Sequence, residues 1–170
     1  MRRVLVIGCG GAGKSTFSAR LGAKLGLPVA HLDAHFWRAG WVEPDKDEWR
    51  QTVERLVADE EWIMDGNYGG TLDIRLAACD TVIFLDTPRF LCLGRIVLRR
   101  LRFHGQTRPD MRAGCDEQLT WEFIRYVWRY SSTRRPSVLE RLAALQDGKT
   151  AVVLRSKAQA EAFLAGLPGL

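Results

Sequence analysis

Five short apolar runs recur along the chain, and most are followed by glycine or polar residues and then by a segment with apolar positions three or four apart. The first run, Val4 to Ile7, is closed by Gly8-Cys9-Gly10-Gly11-Ala12-Gly13, after which Phe17, Leu21 and Leu25 fall on one helical face. That order predicts strand, glycine-rich turn and helix. Pro28 to Leu32 predicts a second strand ending at Asp33, and the tryptophan-rich stretch from His35 to Pro44, broken by Gly40, predicts a loop. A helix is expected from about Asp47 to Asp59, with Trp49, Val53 and Leu56 or Val57 on its apolar side.

The third strand is expected at Glu61 to Met64, ending at Asp65-Gly66-Asn67-Tyr68-Gly69-Gly70, with a short helix over Thr71 to Ala78. Thr81 to Leu85 is the clearest strand pattern, closed by Asp86-Thr87-Pro88. Pro88 suits the first turn of a helix running to about Arg102. Phe103 to Gly114 is polar and holds Gly105, Pro109 and Gly114, as a mobile flap or irregular insert would. Helices over Cys115 to Tyr130 and Pro136 to Gln146, a strand at Thr150 to Leu154 and a closing helix over Lys157 to Leu164 complete the pattern. Five strands separated by helices predict an α/β fold with a parallel sheet covered on both faces.

Composition narrows the class. At 170 residues, with 46% apolar and 26% charged positions, the chain is expected to form a single domain over 1–170. The net charge is +5, carried by twenty arginines and only five lysines, and the arginine fork suits carboxylates and phosphates. Between Arg95 and Arg135 ten arginines face four acids, Asp110, Asp116, Glu117 and Glu122, so a local excess of six exceeds that of the whole chain. Such a segment can meet nucleic acid, an anionic membrane or the phosphates of a small ligand. No apolar run is long enough for a membrane span, and the four apolar residues after Met1-Arg2-Arg3 are too few for a signal peptide, so no membrane partner and a cytoplasmic location are expected. Cys9, Cys79, Cys92 and Cys115 show no paired spacing for zinc or a disulfide framework and read as small buried residues.

The candidate chemistry starts at Gly8-Cys9-Gly10-Gly11-Ala12-Gly13-Lys14-Ser15, a full GxxxxGK[ST] match lying between a predicted strand and a predicted helix. Glycines let backbone amides wrap phosphate oxygens, and the helix start adds unpaired N–H groups. Lys14 is expected to reach the β and γ phosphates, Ser15 to ligate Mg2+, and the span Gly8 to Thr16 to carry ATP. The chain has no NKxD-type guanine-reading motif, and its size suits a small-molecule kinase.

In an open parallel sheet ligands bind beyond the carboxyl ends of the strands, where Asp33, Asp65 and Asp86 are expected. Asp33 suits orienting or deprotonating an acceptor hydroxyl, or capping a turn. Asp65 suits holding a magnesium-bound water or serving the acceptor side, and Asp86 suits the metal shell or a helix N-cap. His31 and His35 lie outside any zinc-binding pattern, and Trp37 and Trp41 either wall an acceptor pocket or fill a small core under their loop. Arg95 and Arg99 share a helix face with Arg100 beside it, placed to meet a triphosphate, while Arg108 can close over the transferred phosphoryl group. Aromatic residues Trp121, Phe123, Tyr126, Trp128 and Tyr130 in the same stretch keep nucleic acid as the rival partner, although Leu119, Phe123, Val127 and Tyr130 recur at helical spacing as core positions do.

Taken with Gly8 to Ser15 and Asp33, the segments Trp62 to Tyr68, Arg95 to Arg100, Arg108-Pro109-Asp110, Gly114 to Glu117 and Val152 to Ser156 resemble the adenylate-kinase-like proteins labelled DNA topology modulation proteins. Through their wider relatives, the nucleoside monophosphate kinases, the resemblance implies a P-loop fold. Its five-stranded parallel sheet would have order 2-3-1-4-5, with an acceptor-side segment over about 33–60 and an arginine-bearing lid over about 99–114. It further implies that Arg95, Arg99 and Arg100 contact ATP phosphates, that Arg108 touches both substrates, and that Arg155 sits where the last-strand loop packs against adenine. Asn67-Tyr68 stands where adenylate kinases carry Phe-Pro, and the arginine that usually follows is absent. The resulting expectation is an ATP- and Mg2+-dependent phosphotransferase acting on a nucleotide or other small acceptor through Lys14, Asp33, Asp65, Arg99 and Arg108; the alternative is a nucleic-acid-associated ATP-binding regulator.

Overall fold

All five expected strands pair in parallel in one sheet, in the order β2-β3-β1-β4-β5. The computed structural model describes residues 1–145 and 147–168. The strands are β1 (Arg3–Gly8), β2 (Val29–His31), β3 (Trp62–Asp65), β4 (Thr81–Leu85) and β5 (Thr150–Leu154). Around them lie α1 (Lys14–Leu25), α2 (Leu32–Phe36), α3 (Lys46–Val57), α4 (Leu72–Ala78), α5 (Arg89–Arg102), α6 (Trp121–Thr133), α7 (Arg135–Ala143) and α8 (Lys157–Ala165). β1, β3 and β4 are central and buried on both faces, which is why they read as unbroken apolar runs. Their side chains, with Phe17, Leu21, Trp49, Val53, Ile96 and Val127 from the helices, make the core. All four cysteines are buried and, among the described residues, unpaired.

Register places the strand ends that matter side by side. Val6 of β1 pairs with Asp65 of β3, and His31 of β2 pairs with Asp65 from the other side. Gly8 pairs with Leu85 of β4. The glycine loop, Asp65 and the start of α2 therefore open onto the same edge of the sheet.

Several boundaries differ from the pattern, each for a local reason. The stretch after β2 is not all loop: α2 forms over Leu32–Phe36, and a tight turn follows in which Arg38 bridges to Val42. Pro88 is the N-cap of α5 and not part of its first turn, its carbonyl accepting from the amides of Leu91 and Cys92. The helix expected from Cys115 begins only at Trp121, because Thr120 is the capping residue, accepting from the Phe123 amide at 3.2 Å. Residues 115–120 are instead an extended strap, tied by Glu117 N–H to the Gln106 carbonyl and by the Cys115 thiol to the Arg38 carbonyl. The described part of α7 ends at Ala143, and the expected endpoint Gln146 lies outside the described residues. The insert after α5 is irregular, as expected, but it is anchored: Met111, Cys115 and Glu117 are all buried.

Candidate functional site

The turn between β1 and α1 takes the shape its glycines allow. Gly11 and Gly13 have φ of 77° and 99°, and a Cβ on Gly11 would lie 2.5 Å from the Cys92 carbonyl oxygen at the start of α5. The Lys14 ammonium folds back over this loop, donating to the carbonyls of Gly8 at 3.0 Å and Cys9 at 3.1 Å. Ser15 and Thr16, on the first turn of α1, stand beside it on the wall of a cleft of about 1140 Å³. That volume exceeds the usual range for a single small ligand and leaves room for two.

The structure brings most of the expected residues to this cleft. Gly10, Gly11, Gly13, Lys14, Ser15 and Thr16 line one end; Asp33 with Trp37 and Trp41 lines another part; Arg95, Arg99 and Arg108 complete the wall. Arg95 bridges α5 to the glycine loop, donating to Ala12 O at 3.0 Å. Gly8, Cys9 and Ala12 support the loop from behind, with Cys9 and Ala12 buried. Arg100 does not reach the cleft wall, and one of its terminal nitrogens is buried without a hydrogen bond among the described residues. Arg155 is on the surface past β5, 3.8 Å from Asp86. Asp86 is bound in a two-point pair with Arg135, both contacts at 2.8 Å. It therefore anchors α7 to the end of β4.

Asp65 lies behind the wall. It is 3% exposed, and its Oδ2 is 2.6 Å from Nδ1 of His31, whose ring does line the cleft. The hydrogen bond to Asp65 raises the His31 pKa above its ordinary value, outweighing the opposing effect of burial. Asp33, in the first turn of α2, accepts from the Tyr68 hydroxyl at 2.6 Å, and burial together with the Asp33 charge pushes the Tyr68 phenol upward.

Several residues that hold the site together carry no motif. Asn67 Oδ1 accepts from the Gly8 amide at 3.1 Å and its Nδ2 donates to the Tyr126 hydroxyl at 2.9 Å, so one side chain ties the glycine loop to α6. Arg75, fully buried, fixes the Gly66–Tyr68 turn by donating to the carbonyls of Gly66, Asn67, Tyr68 and Thr71. Burial pulls its pKa down to about 10, still cationic at neutral pH. Glu117, almost without solvent contact, lies 2.8 Å from Arg99 and 2.7 Å from Arg108, the second a close ion pair without hydrogen-bond alignment. Arg108 also bonds Asp110 at 2.9 Å. One signal in the sequence points to Asn67 and Tyr68, their place just after the strand-end Asp65-Gly66; the roles of Arg75 and Glu117 depend on contacts between segments.

Thirty per cent identity over 135 residues relates the chain to the uncharacterized protein YqaC of Bacillus subtilis, across 77% of this chain and 74% of that protein. The chain belongs to the YqaC family. No protein-family model matches it. In fold this YqaC relative is similar to shikimate kinase from Acinetobacter baumannii, solved with shikimate, at 17% identity and a TM-score of 0.59 over 97% of this chain and 89% of that one. Shikimate kinase from Bacteroides thetaiotaomicron follows at 16% and 0.52 over 96% and 94%, and an unliganded sugar kinase from Janibacter sp. HTCC2649 at 19% and 0.51 over 97% and 93%. These likenesses establish the P-loop kinase fold, with the strand order 2-3-1-4-5.

Proposed function

We propose that this protein transfers the γ-phosphoryl group of ATP to a small acceptor, a nucleotide or another small molecule, in the cleft between the glycine loop and Asp33. The observation that carries the reading is the convergence of a complete GxxxxGKS loop, a strand-end carboxylate and four arginines on one cavity. The kinase fold and the resemblance to adenylate-kinase-like proteins support it. In this reading Lys14 leaves its two loop carbonyls to neutralise the β and γ phosphates, and Arg95 and Arg99 approach from α5. Arg108 stabilises charge on the group in transfer, while Asp33 orients the acceptor. Arg100 and Arg155, expected on the donor side, do not line the cleft and take no part in this reading.

The residues present fit magnesium through the Ser15 hydroxyl, which stands on the cleft wall next to Lys14 and would hold the ion; the expected second ligand, Asp65, is buried behind the wall against His31 and would not reach it directly. Among the described residues no cluster of three or more His, Cys, Asp or Glu gathers for a metal, as suits an ion held largely by phosphate oxygens and water. When bound, the ion would draw charge from the phosphate oxygens.

The nucleic-acid alternative keeps only part of its arginines, with Arg125, Arg129 and Arg134 exposed. Arg95, Arg99, Arg108 and Arg135 are directed into the fold or onto the cleft by carbonyls and carboxylates of the same chain.

The experiment is ATP binding by calorimetry with phosphoryl transfer followed in parallel. Lys14→Ala should stay folded, bind Mg-ATP far more weakly and lower turnover by about 10²-fold or more. Unchanged ATP affinity in that variant would refute the assignment of the loop.

A further inference from the structure

The charge distribution along the cleft is uneven. Of the cations facing it, Lys14 and Arg95 bond the glycine loop, Arg99 and Arg102 follow along α5, and Arg99 and Arg108 share the Glu117 carboxylate, with Asp110 on Arg108 as well. Of the positive groups near Asp33, Arg112 acts on His35 but does not line the cleft, and three others are committed elsewhere. Arg75 is fully buried on backbone carbonyls, Arg38 is paired with Glu48, and His31 is paired with Asp65. The cleft wall there carries two carboxylates, Asp33 and Glu43, that have no ion-pair partner among the described residues. A phosphate or carboxylate brought to this end would meet anions; hydroxyl groups would meet hydrogen-bond acceptors.

The same end presents aromatic rings. Trp37 and Trp41 line it, centroids 5.2 Å apart at 65°, backed by Phe36, Trp49 and Tyr68. Trp41 holds a φ of 64°, a left-handed conformation rare for so large a side chain, and its indole N–H is spent on the Asp116 carbonyl at 3.0 Å. A backbone held in that conformation, with the polar edge of the ring already satisfied, points to a site where the ring is used. Stacking on such rings favours the apolar face of a sugar or a planar base.

Building on the phosphotransferase reading, we infer that the acceptor is a hydroxylated ring compound without phosphate or carboxylate groups, of the carbohydrate or nucleoside type, stacked on Trp37 or Trp41 with a hydroxyl at Asp33. Tyr68 fixes one oxygen of Asp33 and leaves the other for that hydroxyl. The acceptor oxygen forms its bond to the γ phosphorus as the bond from that phosphorus to the β-bridging oxygen breaks. ADP leaves with the electron pair, and the hydroxyl proton passes to Asp33.

The test is a transfer screen on the intact protein with Mg-ATP, products identified by mass spectrometry. Its panel holds pentoses, hexoses, polyols, amino sugars and nucleosides against nucleoside monophosphates, sugar phosphates and carboxylated polyols, with ATP binding measured on the same samples. Transfer to the uncharged or cationic compounds is expected, and whether sugars or nucleosides react identifies the source of the ring. Trp37→Ala, and Trp41→Phe as the milder change, should raise the acceptor KM roughly tenfold and leave the ATP KM unchanged. Bound ATP with transfer confined to anionic acceptors, or to no compound on the panel, would overturn this inference and spare the kinase fold and donor site. Failure to bind ATP would instead bring down the phosphotransferase reading and this inference with it.

Discussion

Arg75 is the largest of the fully buried side chains, and its guanidinium meets only backbone oxygens. Desolvating a cation is repaid here because the planar fork satisfies four carbonyls that would otherwise be stranded. Arg75→Met should therefore cost about 3 kcal/mol or more in urea unfolding, since each orphaned buried carbonyl costs on the order of 1–3 kcal/mol. Arg75→Lys should recover only part, its ammonium having three donors and no fork. A loss within experimental error in Arg75→Met would show that the turn holds without it. His31 makes a prediction in pH. Its folded pKa is raised above 6.5 by Asp65, so the stabilisation from that pair is complete below pH 6.5 and lost as pH rises through the folded value. Urea midpoints should fall across that upper window, and His31→Gln should flatten the fall; an unchanged slope in the variant would place the titration elsewhere.

Among the elements, α5 and the strap at 115–120 depend on each other through Glu117. Burial, and then the nearby Arg108, pull the Arg99 pKa down, while Glu117 holds it up. Glu117→Gln keeps the shape and removes the charge between two guanidiniums, and should destabilise the protein by about 3 kcal/mol, as breaking a buried pair does. Its near-neutrality in thermal unfolding would mean that the arginines turn to solvent instead. The same contact explains why helical spacing through Cys115 to Tyr130 overran the true start of α6. Periodicity registers Leu119, Phe123 and Val127, whereas a buried carboxylate paired across 18 positions and a capping threonine hold the backbone extended up to Trp121. By contrast the ends of β4 and β5 match the pattern residue for residue, because β4 is fully buried, both runs are strongly β-branched, and both are bounded by turn residues.

For the molecule as a whole, the arginine-rich segment divides, part folding inward across the cleft and part staying on the surface. Arg95 touches the glycine loop, Arg99 and Arg108 share Glu117, and Arg135 clamps Asp86, while Arg125, Arg129 and Arg134 stay exposed on α6 and just beyond it. A ligand that draws Lys14 and these arginines together should stabilise the whole fold. At a concentration about a hundredfold above its dissociation constant Mg-ATP should add about 2.7 kcal/mol. For a chain of this size that raises Tm by roughly 5–10 °C. The shift, read by differential scanning fluorimetry, should vanish in Lys14→Ala; an equal shift there would point to binding away from the loop.

The sequence alone determined the five strands, the glycine loop and the positions of Lys14, Ser15 and Asp33, because these rest on local rules: apolar runs, backbone freedom at glycine, and adjacency to a strand end. It also marked Asp65, Arg99 and Arg108 as residues of interest. Only the tertiary structure decided what they face. Asp65 turns to His31 and Arg99 to Glu117, and Arg75, whose sequence neighbours give no hint of it, became the buried support of the turn beside Asp33. Such pairings are set by which strands lie side by side and by the cost of leaving a buried charge or carbonyl unmet, quantities that belong to the packed chain and not to any window of its sequence.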